Sequence, residues 1–347
     1  MTDSFDVDAL GLRIRVELPD HLDASQRDLA KAAWSGARGT DGRSPEKTVS
    51  FSKTASFDAA MERLTVDVTL AALAELSDRA LMFHAAGVAD EQGRVAAFVG
   101  PSGRGKTTLS RTLGGHYGYV SDETIAVSAD LSVSPYRKPL SIVRDGSPKQ
   151  QLSPKETGLL DLPDASLHLR ALVLLDRDAT LDAPQISTVP LVDAIPELIP
   201  QMSYLKEQER PLQAIARLCD QVGGVRMLRY PDASTVPALV PALLDHPDAS
   251  SDWLPAPVPA SDAPYVAGAI LDSIITDDRV IVMIESQIQV LDGIAPSIWL
   301  AAAAGGDLDD IVSAVVALHG EPPGNDARML VTAALDELMA AGILRQR

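Results

Sequence analysis

The chain has 347 residues, a formal net charge of −18 and a single cysteine, Cys219. That length allows two or three domains, each with a core of its own. The acidic balance excludes non-specific binding to nucleic acid or an acidic membrane, and one cysteine excludes a disulfide framework or a Cys-rich zinc site.

The N-terminus, Met-Thr-Asp-Ser-Phe-Asp, lacks the positive and apolar regions of a secretory signal. No apolar run approaches the roughly 18 residues that span a bilayer, so a cytoplasmic protein with no membrane partner is expected. Leu12–Leu18 alternates apolar and polar residues as a half-exposed strand does, and Val49–Ser52 reads as a second. Residues 1–63 are therefore expected to form an antiparallel flank. From Leu64 to Ser77, Val66, Leu70, Leu73 and Leu76 recur at helical spacing. Ala80–Val88 reads as a strand, joined through a turn at Asp90–Gly93 to a second strand over Val95–Val99.

That second strand breaks at Gly100. Gly100-Pro101-Ser102-Gly103-Arg104-Gly105-Lys106-Thr107 fits the phosphate-loop pattern at every fixed position, with Thr108 following. The glycines let backbone N–H groups curl around phosphate oxygens. A helix starting near Lys106 adds its positive end, Lys106 a full charge, and the Thr107 hydroxyl a ligand for Mg²⁺. ATP, or another nucleoside triphosphate, with Mg²⁺ is the expected ligand.

Lys106–Leu113 fits a short helix stopped by Gly114-Gly115. Tyr117–Val120 is the next strand and ends on Ser121-Asp122-Glu123. These carboxylates lie sixteen and seventeen residues beyond Lys106. At a strand end they can hold Mg²⁺ or accept the proton of an attacking hydroxyl. Ala171–Asp176 offers a rival, the apolar strand ending on Asp that many ATPases use. Arg177 follows it where hydrolytic ATPases often place a Glu, so Asp122 and Glu123 are preferred over Asp176.

Arg137 and Lys138 lie in a proline-flanked loop, either a solvated turn or cations reaching the transferred phosphoryl group. Lys149–Asp164 reads as a mobile segment near the site, and residues 191–244 as a cap on the core sheet. Residues 246–262, rich in Pro, Ala, Ser and Asp, read as a linker between a core, 64–245, and a C-terminal module, 263–347. In the module, Ala269–Ser273, Val280–Ile284 and Ile288–Gly293 read as strands with turns at Asp277-Asp278 and Glu285–Gln287. Ala295–Ala304, Leu308–His319 and Asp326–Ala341 read as helices. The pattern predicts a winged-helix-like α+β domain. Its 12 acids against 4 arginines exclude DNA as a partner. An open sheet edge can instead accept an extended peptide.

Leu64–Leu244 resembles the HPr kinase-related proteins, kin to the nucleotide core of phosphoenolpyruvate carboxykinase. The resemblance rests on Phe83-His84-Ala85-Ala86-Gly87-Val88, on Gly100–Thr107 and on Ser121-Asp122-Glu123. It implies an α/β P-loop fold in which Asp122 is the base that activates the acceptor hydroxyl. Glu123 and Thr107 would lie nearer Mg²⁺, and His84 would line the site with Lys106. Thr107-Thr108 stands where true HPr kinases have Ser-Glu, and their Arg-Gly-containing segment after the acidic pair has no counterpart here, so HPr is not the implied substrate.

The C-terminal 85 residues resemble PqqD-like domains, the leader-peptide recognition elements of ribosomal peptide modification. The residues that carry this are Val290-Leu-Asp-Gly293-Ile-Ala-Pro-Ser-Ile298-Trp299 and the closing Leu335–Leu344. The resemblance implies that a leader peptide pairs with Gln287, Ile288, Gln289, Val290 and Leu291 and rests against Met329, Thr332, Ala333 and Asp336. The expectation is a kinase of a modified-peptide (RiPP) pathway. The alternative is a non-catalytic scaffold that delivers the precursor peptide to other modifying enzymes, and a third reading is plain ATP hydrolysis through Asp176. A homo-oligomer is compatible with each.

Overall fold

The computed structural model describes residues 3–52, 56–101, 103, 105–142, 149–245 and 251–347. Its chain divides into two compact units. The first is Met1–Val189, Glu197–Glu207 and Val222–Asp248; the second is Pro190–Pro196, Gln208–Gln221 and Ala249–Arg347.

The first unit opens on β1 (Asp3–Ala9) and β2 (Leu12–Leu18), an antiparallel pair. α1 (Ala24–Ala33) follows, started by a reciprocal capping box between Asp23 and Gln26. β3 (Lys47–Ser50) then joins β2 in parallel. The expected antiparallel flank is therefore mixed, because a helical crossover returns the chain in the direction it left. α2 (Phe57–Glu75) begins seven residues before Leu64, where the Ser56 side chain accepts the Ala59 N–H. The expected boundary at 63/64 thus falls inside a helix whose Met61, Leu64, Val68 and Ala72 share one core with Phe5, Val7, Ile14 and Trp34. Its buried face also differs from the expected one. Val66 and Leu70 are exposed, whereas Thr65 and Thr69 are buried with their hydroxyls donating to the carbonyls of Glu62 and Thr65. A threonine that satisfies itself on its own helix can sit in a core, which apolar periodicity does not register.

β4 (Leu81–Ala89) and β5 (Arg94–Val99) form the expected hairpin, with Ala89 opposite Val95. Asp90 shapes the turn by accepting the N–H groups of Gln92 and Arg94. Gly93 takes φ +81° there, and a Cβ would lie 2.2 Å from the Ser166 carbonyl oxygen, so only glycine fits. The chain continues through α3 (Lys106–Gly114), β6 (Gly118–Ser121), β7 (Thr124–Val127), β8 (Val133–Ser134), β9 (Leu140–Ile142) and β10 (Gln150–Leu152). β11 (His168–Arg177), β12 (Gln185–Val189), α4 (Leu191–Leu198) and β13 (Met202–Ser203) come next. They are followed by α5 (Pro211–Gln221), β14 (Val225–Tyr230) and α6 (Val240–Leu244). The central sheet runs β12-β14-β11-β5-β4-β7-β8, with β6 and β13 also on β4. β5, β11 and β14 are parallel, and β4 is antiparallel to β5. The fold is mixed α/β. Residues 149–164, expected to be mobile, are anchored: Leu159 is buried, and the Leu160 N–H reaches the Gly114 carbonyl at 2.8 Å.

The second unit is not built from 263–347 alone. α5, expected as part of a cap on the core sheet, belongs to it and packs on β17 (Ile270–Thr276). β15 (Trp253–Pro255) arises inside the stretch read as linker and pairs with β17, while β16 (Tyr265–Ala267) pairs with β20 (Leu344–Gln346). The Trp253 indole N–H donates to Asp220 at 2.6 Å, and the Trp299 indole N–H to the Pro257 carbonyl at 2.8 Å. Those bonds fix a segment whose composition alone reads as unstructured. The sheet order is β15-β17-β18-β19, with β18 (Arg279–Ile284) and β19 (Gln287–Leu291) at the expected positions. Asp277 and Asp278 both take positive φ in the β17–β18 turn, the conformation of a two-residue hairpin loop. α7 (Ala295–Ala303), α8 (Leu308–His319) and α9 (Ala327–Ala340) cover one sheet face, around Trp299, Ile298, Val280 and Val282. The three helices follow β15–β19, and β20 comes after them. Cys219 lies buried on α5, and burial pushes its thiol up to about 12, which leaves it a small inert core residue. Among the described residues no helix is long and apolar enough to cross a membrane.

Candidate functional site

β5 ends at Val99, and α3 starts at Lys106. Gly103 and Gly105 take φ of +85° and +86°, so both glycines are needed where the pattern has them. Gly105 precedes the helix, leaving the N–H groups of Lys106, Thr107 and Thr108 at its first turn. Ser102 and Arg104 lie outside the described residues. Gly100 is buried, Pro101, Thr107 and Thr108 are exposed, and a cleft lined by Thr107, Thr108, Arg111, Thr112 and Thr157 opens beside the helix start.

Lys106 is 6% exposed, and its ammonium donates to the Gly100 carbonyl. Burial lowers its pKa, and among the described residues no carboxylate offsets that. A buried ammonium balanced only by a peptide dipole is a site prepared for an anion. Two groups that sequence reasoning did not assign here stand next to the loop. A Cβ on Gly105 would lie 3.4 Å from the Tyr230 hydroxyl and 3.8 Å from Arg177 Cδ. Arg177 comes from the end of β11, whose Leu174 is in register with Val99, and so adds a second cation on the side away from β4. The apolar strand leading to Asp176 was the available signal for it. Asp176 itself accepts from Arg229 Nε at 3.1 Å, and Asp178 from the same guanidinium at 2.8 Å.

Strand register brings the early acidic pair to the same end of the sheet. Ala85 in β4 faces Val99 on one side, and its N–H reaches the Glu123 carbonyl at 3.0 Å on the other. Asp122 and Glu123 thus sit one strand away from the phosphate loop. The Ser121 hydroxyl accepts the N–H groups of Glu123 and Thr124 at 3.2 Å and shapes the turn. His84, half-buried, bonds the Glu123 carbonyl through Nδ1 at 3.0 Å. A carbonyl only accepts, so Nδ1 carries the proton and Nε2 the lone pair. Burial, then the nearby Lys106 charge, hold the His84 pKa below its usual value against the opposing pull of Glu123 and Asp122, so the ring is neutral at pH 7.

Asp122 accepts the Tyr119 hydroxyl at 2.9 Å. Burial, reinforced by Asp122, raises the Tyr119 pKa well above the ordinary phenol, which keeps it a donor. Lys138 lies on the pair as well, with Nζ 3.0 Å from Glu123 Oε2 and 3.6 Å from Asp122 Oδ1. Burial pulls the Lys138 pKa down, but the two carboxylates outweigh it and hold it above the normal value. The basic dipeptide is therefore no solvated turn: Arg137 is buried too and pairs with Asp161 at 3.0 Å. The loop is pinned by Tyr136, whose N–H donates to the Val120 carbonyl. The Tyr136 hydroxyl meets Thr69 Oγ1 at 2.7 Å. Thr69 spends its own proton on the Thr65 carbonyl, so the tyrosine is the donor. Tyr136→Phe is expected to lower stability by about 1 kcal/mol in thermal melts, the net worth of one buried hydrogen bond.

The loop fits a polyphosphate in chemistry: glycine backbone, buried ammonium, free helix N–H groups. Mg²⁺ fits less well. Thr107, Asp122 and Glu123 supply oxygens of the right type. However, an ammonium already occupies the carboxylate pair, and among the described residues no group of three or more His, Cys, Asp or Glu could hold a metal.

In the second unit, β19 is an edge strand. Gln287 and Gln289 are exposed, Ile288 and Val290 half-buried, and Leu291 is in the core. Met329, Thr332, Ala333 and Asp336 share the exposed face of α9, with Met329 60% exposed. α9 packs chiefly on α8, α7 and β20, and both halves of the expected peptide groove are open.

No family model matches the chain, and no curated protein does. Among solved structures, the Hpr(Ser) kinase/phosphatase from Coxiella burnetii is similar at 16% identity over 47% of this chain and 93% of that one, with a TM-score of 0.28. At that level the likeness carries no functional argument, and the geometry of the site has to do so.

Proposed function

We propose that the chain is an ATP-dependent, kinase-like protein of a ribosomal peptide modification pathway. The first unit binds ATP at residues 100–108, with Lys106 and Arg177 on the phosphates. The acceptor is a Ser or Thr hydroxyl of a precursor peptide. Its oxygen bonds to the γ-phosphorus as the bond to the bridging oxygen breaks, ADP departs with that electron pair, and Asp122 takes the hydroxyl proton. His84, neutral and fixed by the Glu123 carbonyl, braces the turn that carries Asp122. The leader segment of the precursor adds to the open edge of β19, where main-chain hydrogen bonds supply affinity and the exposed face of α9 supplies contact. The observation that carries the nucleotide reading is the buried Lys106 ammonium, which has no carboxylate partner among the described residues.

A second reading is a non-catalytic scaffold that holds the precursor for other enzymes. Lys138 favours it, because a pair of carboxylates already neutralised by an ammonium is a poor divalent site. One experiment separates the two. The full chain is incubated with candidate precursor peptides that carry Ser and Thr, with ATP and Mg²⁺, and each peptide is weighed by mass spectrometry. Gain of a phosphoryl group on a Ser or Thr, lost with Lys106→Ala, is the expected result. Binding of ATP and peptide without transfer would establish the scaffold.

A further inference from the structure

The acidic pair at the phosphate-loop end of the sheet is already occupied by a cation of the chain itself. Lys138 Nζ stands 3.0 Å from Glu123 and 3.6 Å from Asp122, and the side chains of Lys138 and Asp122 are each 11% exposed. The Lys138–Asp122 contact is thus largely withdrawn from water, into a medium where charges act more strongly, while the Glu123 side chain is 36% exposed. Nor is the ammonium free to swing away. Pro135 and Pro139 stiffen the loop on either side. Tyr136 is tied to Val120 and Thr69, and Arg137 to Asp161 and the Leu160 carbonyl. A divalent ion reaching the same oxygens would meet a like charge within a few ångströms.

From this geometry we infer that Lys138 is the resident cation of the acidic pair and excludes a protein-bound divalent ion from it. Nucleotide then binds to the loop with little help from a metal held by Asp122 and Glu123, and any Mg²⁺ arrives on the phosphates of the nucleotide. The inference deepens the nucleotide-site reading and rests on it only in that last respect. The state of the carboxylate pair is measurable with no nucleotide present.

The test is Mn²⁺ binding to the nucleotide-free full chain, read from loss of the free-ion electron paramagnetic resonance signal. Lys138→Met is expected to bind Mn²⁺ at least about tenfold more tightly than the wild type. Lys138→Arg, which keeps the charge, should stay at the wild-type level, and Lys138→Met combined with Asp122→Asn should lose what Lys138→Met gained. A wild type that binds as tightly as Lys138→Met, or a Lys138→Met chain that gains nothing, overturns the inference. If Lys138→Met does not fold, the wild type alone decides. Its ATP affinity should differ by less than about threefold between EDTA and Mg²⁺. A Mg²⁺ enhancement of about tenfold or more that Asp122→Asn abolishes is the overturning result. Failure of ATP to bind at all would instead remove the nucleotide reading and leave the Mn²⁺ result standing.

Discussion

Lys106→Ala should weaken ATP binding by about a hundredfold or more, measured by calorimetry on the full chain. The wild-type ammonium is held off solvent and faces a single carbonyl, Gly100, so it can turn to phosphate oxygens without abandoning a salt bridge. Each hydrogen bond between charged partners contributes roughly 1.5–3 kcal/mol, and losing one or two of them gives the stated factor. The fold should not suffer. A buried ammonium without a counter-ion opposes folding, which its lowered pKa records. Between that lowered value and 10.5 the unfolded chain binds more protons than the folded one, so wild-type stability rises with pH across this window. The alanine variant should lack that rise and melt at or above the wild-type temperature at pH 7. An ATP affinity within about threefold of wild type would remove Lys106 from the site.

The largest effect on stability is expected at Asp272, in the second unit. Its carboxylate, buried in β17, accepts the Gln213 N–H at 2.9 Å and the Gln213 side-chain amide at 2.8 Å, and also the Ser273 N–H at 2.9 Å. Gln213 lies in the first turn of α5, whose opening N–H groups have no helical partner. Asp272 is thus a helix cap supplied from a strand 59 residues further along the chain. Asp272→Ala leaves three donors without their acceptor in the interior and should destabilise this unit by about 3 kcal/mol. Hydrogen exchange is the discriminating measurement. Amides of α5 and β17 should exchange faster while those of β4, β5 and α3 keep their protection. Equal acceleration in both units, or none in either, would refute a local capping role.

These two residues differ in how visible they were beforehand. Lys106 could be read because a phosphate loop is local: strand, glycines, lysine and helix follow one another, and each needs its residue type for a backbone reason. The β4–β5 hairpin and the strands at 270–291 were legible on the same ground, through alternation and turn chemistry. Asp272 was not, since one acid in an apolar strand says nothing of a helix start far upstream. β15 was hidden by composition, for Trp253 and Pro257 gain their order from Asp220 and Trp299. At the candidate site, proximity of Asp122 to the loop followed from chain spacing, whereas Lys138 became meaningful only once Tyr136 had fixed its loop. Arg177 stands out in the sequence only as a residue where hydrolytic ATPases place a Glu, and its place beside Gly105 depends on the parallel register of β11 with β5. Local grammar was readable; partners brought together by topology were not.

The split ownership of the middle of the chain limits how this architecture can be recombined. Pro190–Pro196 and Gln208–Gln221 are assigned with Ala249–Arg347, so the C-terminal unit is encoded in three separate stretches. A chimera joined at 248/249 would carry β17 away from α5, leaving Asp272 without the Gln213 amides and Trp253 without Asp220. Transplanting the module onto another enzyme therefore requires all three stretches to be moved together, and a gene fusion that keeps only the last one should yield an insoluble graft.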